Sequence, residues 1–267
     1  MRLLVQSDDY GITKAQAAGC IEGIKNGLIR NTGLFVNMPW SAECVRWIYP
    51  LLDQIALGID LNASTGSSVL GYEAVPSLCH TDGLFLTSSE NRALDNEENG
   101  FDHVNYEDLY REFDAQIHKF LELVGRMPDY LHAHAYQTKT TMQVIRDLSE
   151  KYHRPFTFDF METYVHEKYA KMTWVKRGDA NEQLKSDLKS YLLRDEAGFL
   201  GKETGYLVTH CGYVDAELME ISSFNLVRMK DLEALTSQEV KQWVKENNIE
   251  LITFKDLAKE YEDQGVY

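Results

Sequence analysis

Two adjacent carboxylates, Asp8 and Asp9, follow the apolar run Leu3-Leu4-Val5 and precede the turn residue Gly11. An apolar run that delivers a carboxylate pair to a glycine turn reads as a buried strand ending in a polar site. Side chains alternate along an extended chain, but the backbone turns at a strand end. Both carboxylates can then converge on one point if a cation neutralises them. Their simpler role, capping the next helix, already has a candidate. Thr13 with Gln16 forms a capping-box pattern ahead of Ala17, Ala18, Ile21 and Ile24. The pair is therefore read as chemistry.

A second concentration lies in Tyr130-Leu131-His132-Ala133-His134-Ala135-Tyr136, where alternation puts two imidazoles on one side of a strand. A single core histidine is usually satisfied by a backbone carbonyl. Two on one strand face near its C-terminal end favour a metal or catalytic site. The same grammar recurs in Gly205-Tyr206-Leu207-Val208-Thr209-His210-Cys211-Gly212, an apolar strand handing His210 to a glycine turn. Asp60 closes an alternating strand, Ile55 to Asn62, whose even positions Ala56, Gly58, Asp60 and Asn62 are small or polar. Asn37 ends the strand Thr32 to Asn37 in the same way.

These residues need a scaffold that gathers strand ends. Apolar strands alternate with amphipathic helices, among them Leu109 to Val124 with Gly125 and Pro128 as its stop, and Met142 to Leu148. Ser41 reads as the N-cap of a helix through Leu52, Pro155 to Asp159 as a strand, and Glu182 to Leu193 as a polar helix. The tail reads as a helix from Phe224 to Leu235, another capped by Ser237, and a final strand Ile249 to Phe254. Strand–helix alternation implies parallel strands joined by crossover helices, with chemistry at the C-terminal strand ends. The predicted class is α/β. Residues 63–103 lapse into Gly, Ser and acidic residues, including Asp95-Asn96-Glu97-Glu98-Asn99-Gly100, and read as a loop covering the site. Tyr72 and Phe85 within it are candidate ligand contacts or packing residues, and Cys79-His80 a weak ligand pair.

With 267 residues and no linker rich in Pro or Ser, one domain spanning 1–267 is expected. The balance of 27 basic against 42 acidic residues gives a net charge of −15, which repels phosphate backbones and anionic lipid. Nucleic acid and membrane partners are therefore not expected. No secretory signal precedes the Asp pair, so a cytoplasmic location is expected. The 4 cysteines form no Cys-x-x-Cys pair and suggest neither a zinc knuckle nor a disulfide framework. A homodimer is the default assembly on frequency alone.

Asp8-Asp9-Tyr10-Gly11, Leu57 to Asn62, Pro128 to His134 and Thr209-His210-Cys211 stand in one order that resembles the YdjC family of carbohydrate deacetylases, over nearly the whole chain. The resemblance implies a distorted (β/α) barrel of about seven parallel strands, TIM-barrel-like, with one divalent metal. It implies Asp9 as the first ligand, Asp60 in the place of the second and His134 as the third, with Asp8 as general base and His210 as general acid. Two positions depart from the family: it usually has His where this chain has Asp60, and a His-rich run where this chain has Ala135-Tyr136-Gln137-Thr138. An Asp, Asp, His set is harder and more anionic than Asp, His, His, so magnesium is preferred, with manganese or zinc as alternatives.

The implied activity is metal-dependent hydrolysis of N-acetyl groups on a small acetylated oligosaccharide or amino sugar, with Asn37 as a substrate contact. The alternative is a homologue that binds metal and sugar but has lost turnover through Asp60. A third reading, an amidohydrolase-type metal hydrolase, rests on His132-Ala133-His134, which in that class normally lies on the first strand.

Overall fold

The computed structural model describes residues 1–95, 102–265 and 267. Among them are six strands, β1 (Arg2–Tyr10), β2 (Asn31–Leu34), β3 (Ala56–Leu61), β4 (Leu131–Ala133), β5 (Thr204–Thr209) and β6 (Glu250–Ile252). All pair in parallel in the order β4-β3-β2-β1-β5, with β6 also on β1. Strand β1 is the hub. One edge pairs with β5 from Arg2 to Ser7, and the other is shared by β6 over Arg2 to Leu4 and β2 over Gln6 to Tyr10. Asn31 sews this split edge, its amide donating to Val5 O and Ile252 O while its Oδ1 accepts from Phe254 N.

The α/β class holds, but the described residues give six strands rather than about seven, and the hydrogen-bonded path does not return from β4 to β5. The difference lies at Pro155 to Asp159, expected as a strand. Phe156 makes one parallel bridge to Leu131, and the chain then turns into a helix at Thr157–Phe160. That turn brings the Thr157 hydroxyl to within 2.6 Å of His132 Nδ1.

Alternation along the strands sorts residues onto two faces. Leu3, Val5, Leu57, Ile59, Leu131, Ala133 and Leu207 belong to the large core beneath the helices. Leu4, Ala56, Tyr130, Tyr206, Val208 and Ile252 form a separate inner cluster. Continuing up the inner face in steps of two from Leu4, Ala56, Tyr130 and Tyr206 leads to Asp8, Asp60, His132 and His210. The inner face is thus apolar at its base and ionisable at its top.

Helices α1 (Lys14–Asn26), α2 (Ser41–Ile48), α3 (Ser88–Leu94), α4 (Tyr106–Val124) and α5 (Lys139–Tyr152) cover the outer face and the top. Thr13 caps α1 by accepting from Gln16 N, as the sequence predicts. Trp40, not Ser41, is the N-cap of α2; the Ser41 hydroxyl instead donates to Phe35 O at 2.7 Å and closes the turn leaving β2. The polar helix expected from Glu182 is two pieces, Ala180–Gln183 and Leu188–Leu193, because Asp187 starts a new N-cap. No helix among the described residues is long and apolar enough to cross a membrane.

The segment from Ala63 is ordered from below. Buried Glu112 of α4 accepts from the Ser68 hydroxyl, Val69 N and Leu70 N, and a Thr87–Glu90 capping box starts α3 within it. Residues 96–101, which include most of the acidic run, lie outside the described residues.

Candidate active site

The first question is how adjacent Asp8 and Asp9 reach one site when strand alternation would part them. Pairing of β1 with β2 shifts register between Ser7 and Tyr10, and Asp9 takes a left-handed φ of 68°. A bulge with an αL residue turns the backbone so that both carboxylates face the same cleft. For a residue other than glycine this conformation costs on the order of 1 kcal/mol or more. The Asp9 N–H recovers part of that by donating to Asp60 Oδ2 at 2.6 Å.

Asp8 is held from three sides. Gln6 Nε2 donates to Oδ1 at 2.5 Å, and Gln6 is itself oriented by the Tyr206 hydroxyl, which donates to its Oε1. His132 Nε2 lies 3.1 Å from Oδ2, and His210 Nε2 lies 4.0 Å from the same oxygen. Burial pushes the Asp8 carboxyl up, but the charge and hydrogen bond of His132, with a smaller pull from His210, outweigh it and hold the group below the usual carboxylate range. For His132, burial pulls the imidazole down, and Asp8, with smaller help from Asp60 and Asp9, more than restores it, leaving it raised. His210 has no such close partner, and burial leaves it lowered.

Asp9 is held by His134 and Arg228. Its Oδ1 lies 2.7 Å from His134 Nδ1, and its Oδ2 accepts from Arg228 Nη2 at 2.7 Å. Burial works against ionisation here too, yet His134 and Arg228 together hold Asp9 well below its ordinary value. Asp60 has the opposite fate. Burial, followed by the neighbouring Asp8 charge, raises it well above the carboxylate range. Its Oδ1 is buried without a hydrogen-bond partner among the described residues. That oxygen occupies a notch over Gly33, where a Cβ would meet it at 1.7 Å.

These groups open onto a cleft of about 760 Å³. Its wall includes Asp8, Asp9, His132, His134, His210 and Arg228. A family model for YdjC-like protein matches residues 2–246. The chain belongs to the YdjC-like family. A carbohydrate deacetylase of Clostridium beijerinckii is 29% identical over 260 residues, covering 96% of this chain and 100% of its own length. Carbohydrate deacetylase 2 of Listeria innocua is 26% identical over 263 residues, covering 97% and 100%. A solved structure from Enterococcus faecalis, provisionally described as a cellobiose-phosphate cleavage protein, superposes with a TM-score of 0.80 at 26% identity, covering 96% of this chain and 98% of that one.

Within this YdjC-like fold the structure brings Asp8, Asp9, His134 and His210 into the cleft wall, together with His132. Asp60 is not among the lining residues and meets Asp9 through the backbone N–H. Asn37 is also outside the wall. Its amide donates to Thr65 O at 2.8 Å and Ser67 O at 3.0 Å, so it anchors the covering segment. Phe85 is buried in the core and Tyr72 packs against it. From the covering segment it is Ser64, Thr65, Thr87, Ser88, Ser89 and Arg92 that reach the cleft. Cys79 is buried, and His80 lies 3.4 Å from Glu90.

Three contributors escaped the sequence reading. Gln16 of α1 donates to Cys211 O and Asp8 O and accepts from Gly11 N, tying the ends of β1 and β5 together. Arg228 and Asp231 come from the helix Leu226–Thr236. Asp231 accepts from His210 N and from Trp174 Nε1, and burial lifts its carboxyl to about 7. A signal existed for the last two, since residues 228, 231, 232 and 235 share one helix face and two of them are charged amid leucine.

The donor set does not fit a three-ligand divalent site in this arrangement. Both Asp9 oxygens are engaged, one by His134 and one by Arg228, and Asp60 has one oxygen on the Asp9 backbone N–H and does not line the cleft. Among the described residues no three His, Cys, Asp or Glu side chains gather as ligands.

Proposed function

We propose that this chain is a carbohydrate deacetylase that hydrolyses N-acetyl groups of acetylated amino sugars. The observation that carries the reading is Asp8, which is ionised, buried and in the cleft wall, with His210 4.0 Å from its Oδ2. A carboxylate so placed is a general base for a water molecule. The water oxygen attacks the acetyl carbonyl while Asp8 takes its proton. The carbon–nitrogen bond then breaks and the nitrogen must gain a proton. His210, whose imidazole burial holds below its usual range, relays the proton from Asp8 to the departing amine, so that acetate and a free amino sugar leave and Asp8 is ionised again.

The surroundings support a sugar. Phe158, Tyr169, Met172 and Phe224 offer apolar faces in the same wall as Ser222, Ser223, Arg92 and Arg177. A cleft of that volume lies within the usual range for small ligands, about 300–1,000 Å³. The names of the curated relatives point the same way. The test is acetate release from acetylated chitooligosaccharides by the wild type and by Asp8→Asn. Release by the wild type that the variant loses supports the reading, and no release from any acetylated amino sugar removes it.

A further inference from the structure

Arg228 combines three features. It is 2% exposed and stands in the cleft wall. Its Nη2 donates to Asp9 Oδ2 at 2.7 Å and its Nε to Phe224 O at 2.8 Å. Its Nη1 is buried with no partner among the described residues. A guanidinium N–H buried without an acceptor carries a penalty of about 1–3 kcal/mol, and such orphans in a cleft mark where a ligand's acceptor belongs.

We propose that Arg228 is the resident cation of this cleft: its Nη2 neutralises Asp9, and its Nη1 donates to the acyl oxygen of the substrate. The proposal rests on the deacetylase reading for the identity of that oxygen. As water attacks, the carbonyl π electrons move onto the oxygen, and a fixed positive donor stabilises the charge that forms there. Asp9 then holds the guanidinium in place. Its second oxygen is held by His134, and its N–H is fixed on Asp60, so the fork cannot rotate away from the reacting centre. The product acetate would meet the same donor with a full charge. A divalent ion, by contrast, would compete with the guanidinium for the charge of Asp9 Oδ2.

The test uses the full chain with Arg228→Lys, which keeps a positive charge for Asp9 but lacks the second N–H fork, and Arg228→Gln, which lacks the charge. Thermal melting selects the folded variants. Calorimetric titration with sodium acetate is expected to show binding by the wild type that weakens at least tenfold in Arg228→Lys. Titration with manganese chloride is expected to show little binding by the wild type and at least tenfold tighter binding by Arg228→Gln. Acetate release is expected to fall by about 10²–10³-fold in Arg228→Lys, the range for loss of an oxyanion donor.

Equal acetate affinity in the wild type and Arg228→Lys overturns the proposal. So does stoichiometric manganese binding by the wild type that Arg228→Gln does not improve. If the wild type releases no acetate from any acetylated sugar, the deacetylase reading fails, and the two titrations still decide the role of Arg228.

Discussion

Asp60 and His132 are register partners on neighbouring strands, yet only His132 reaches the cleft, where its Nε2 meets Asp8 at 3.1 Å. The inner-face row is therefore divided between a charged pair at the cleft, Asp8 with His132, and a carboxyl beneath it that burial and the Asp8 charge raise well above the carboxylate range. This division fixes what each substitution does.

Asp60 has a folded pKa raised above its unfolded value. Its contribution to stability is fully present below the unfolded value, about pH 4, and is lost as pH rises through the folded one. Asp60→Asn keeps an oxygen for the Asp9 N–H and cannot ionise. The melting temperature of the variant relative to the wild type is expected to climb between pH 5 and pH 8. A difference that stays flat across that range contradicts the assignment.

His132, by its charge and its hydrogen bond, is the main group that offsets burial at Asp8. In His132→Gln the burial penalty remains and the opposing charge is gone, so the Asp8 carboxyl moves up. The acid limb of the kcat/KM profile is expected to shift to higher pH by about one unit or more. An unmoved limb means that His132 does not set the charge state of the base.

His210 is expected to behave differently, chiefly as a carrier of the proton. His210→Gln should lower kcat by about 10²–10⁴-fold and raise the acid limb by less than His132→Gln does, since its pull on Asp8 is the smaller. A substrate whose leaving group needs no proton should recover much of that loss, and equal loss on both substrates counts against the relay.

Gly33 leaves room for the Asp60 carboxyl, since a Cβ there would lie 1.7 Å from Oδ1. Gly33→Ala should cost about 1–3 kcal/mol by overpacking. In Gly33→Ala with Asp60→Ala the clash disappears, so the double variant should be more stable than the sum of the two single effects predicts. Additive denaturation energies would show that the notch is not real.

The parallel α/β class and the first-strand site were legible because both rest on local pattern. Alternation in Ile55 to Asn62 and the two imidazoles of His132 to His134 place their side chains on the inner face without reference to anything distant. What alternation does not encode is depth along that face. Asp60 and His132 share a face and a level, and the backbone turn at Asp9 decides which of them is covered. Asn37 was misplaced for a related reason. Strand β2 ends at Leu34, three residues short of the reading, and the chain beyond it turns to hold the covering segment. Arg228 was hidden because it arrives from 219 residues away, and only its position on a leucine-rich helix face hinted at burial.

The central claim is that Asp8 is the base of an amide hydrolysis. It is tested most directly by following acetate release from acetylated chitooligosaccharides with wild-type protein and Asp8→Asn of equal thermal stability. The account predicts release by the wild type that falls by about 10²–10⁴-fold in the variant. Equal rates from the two proteins would contradict it.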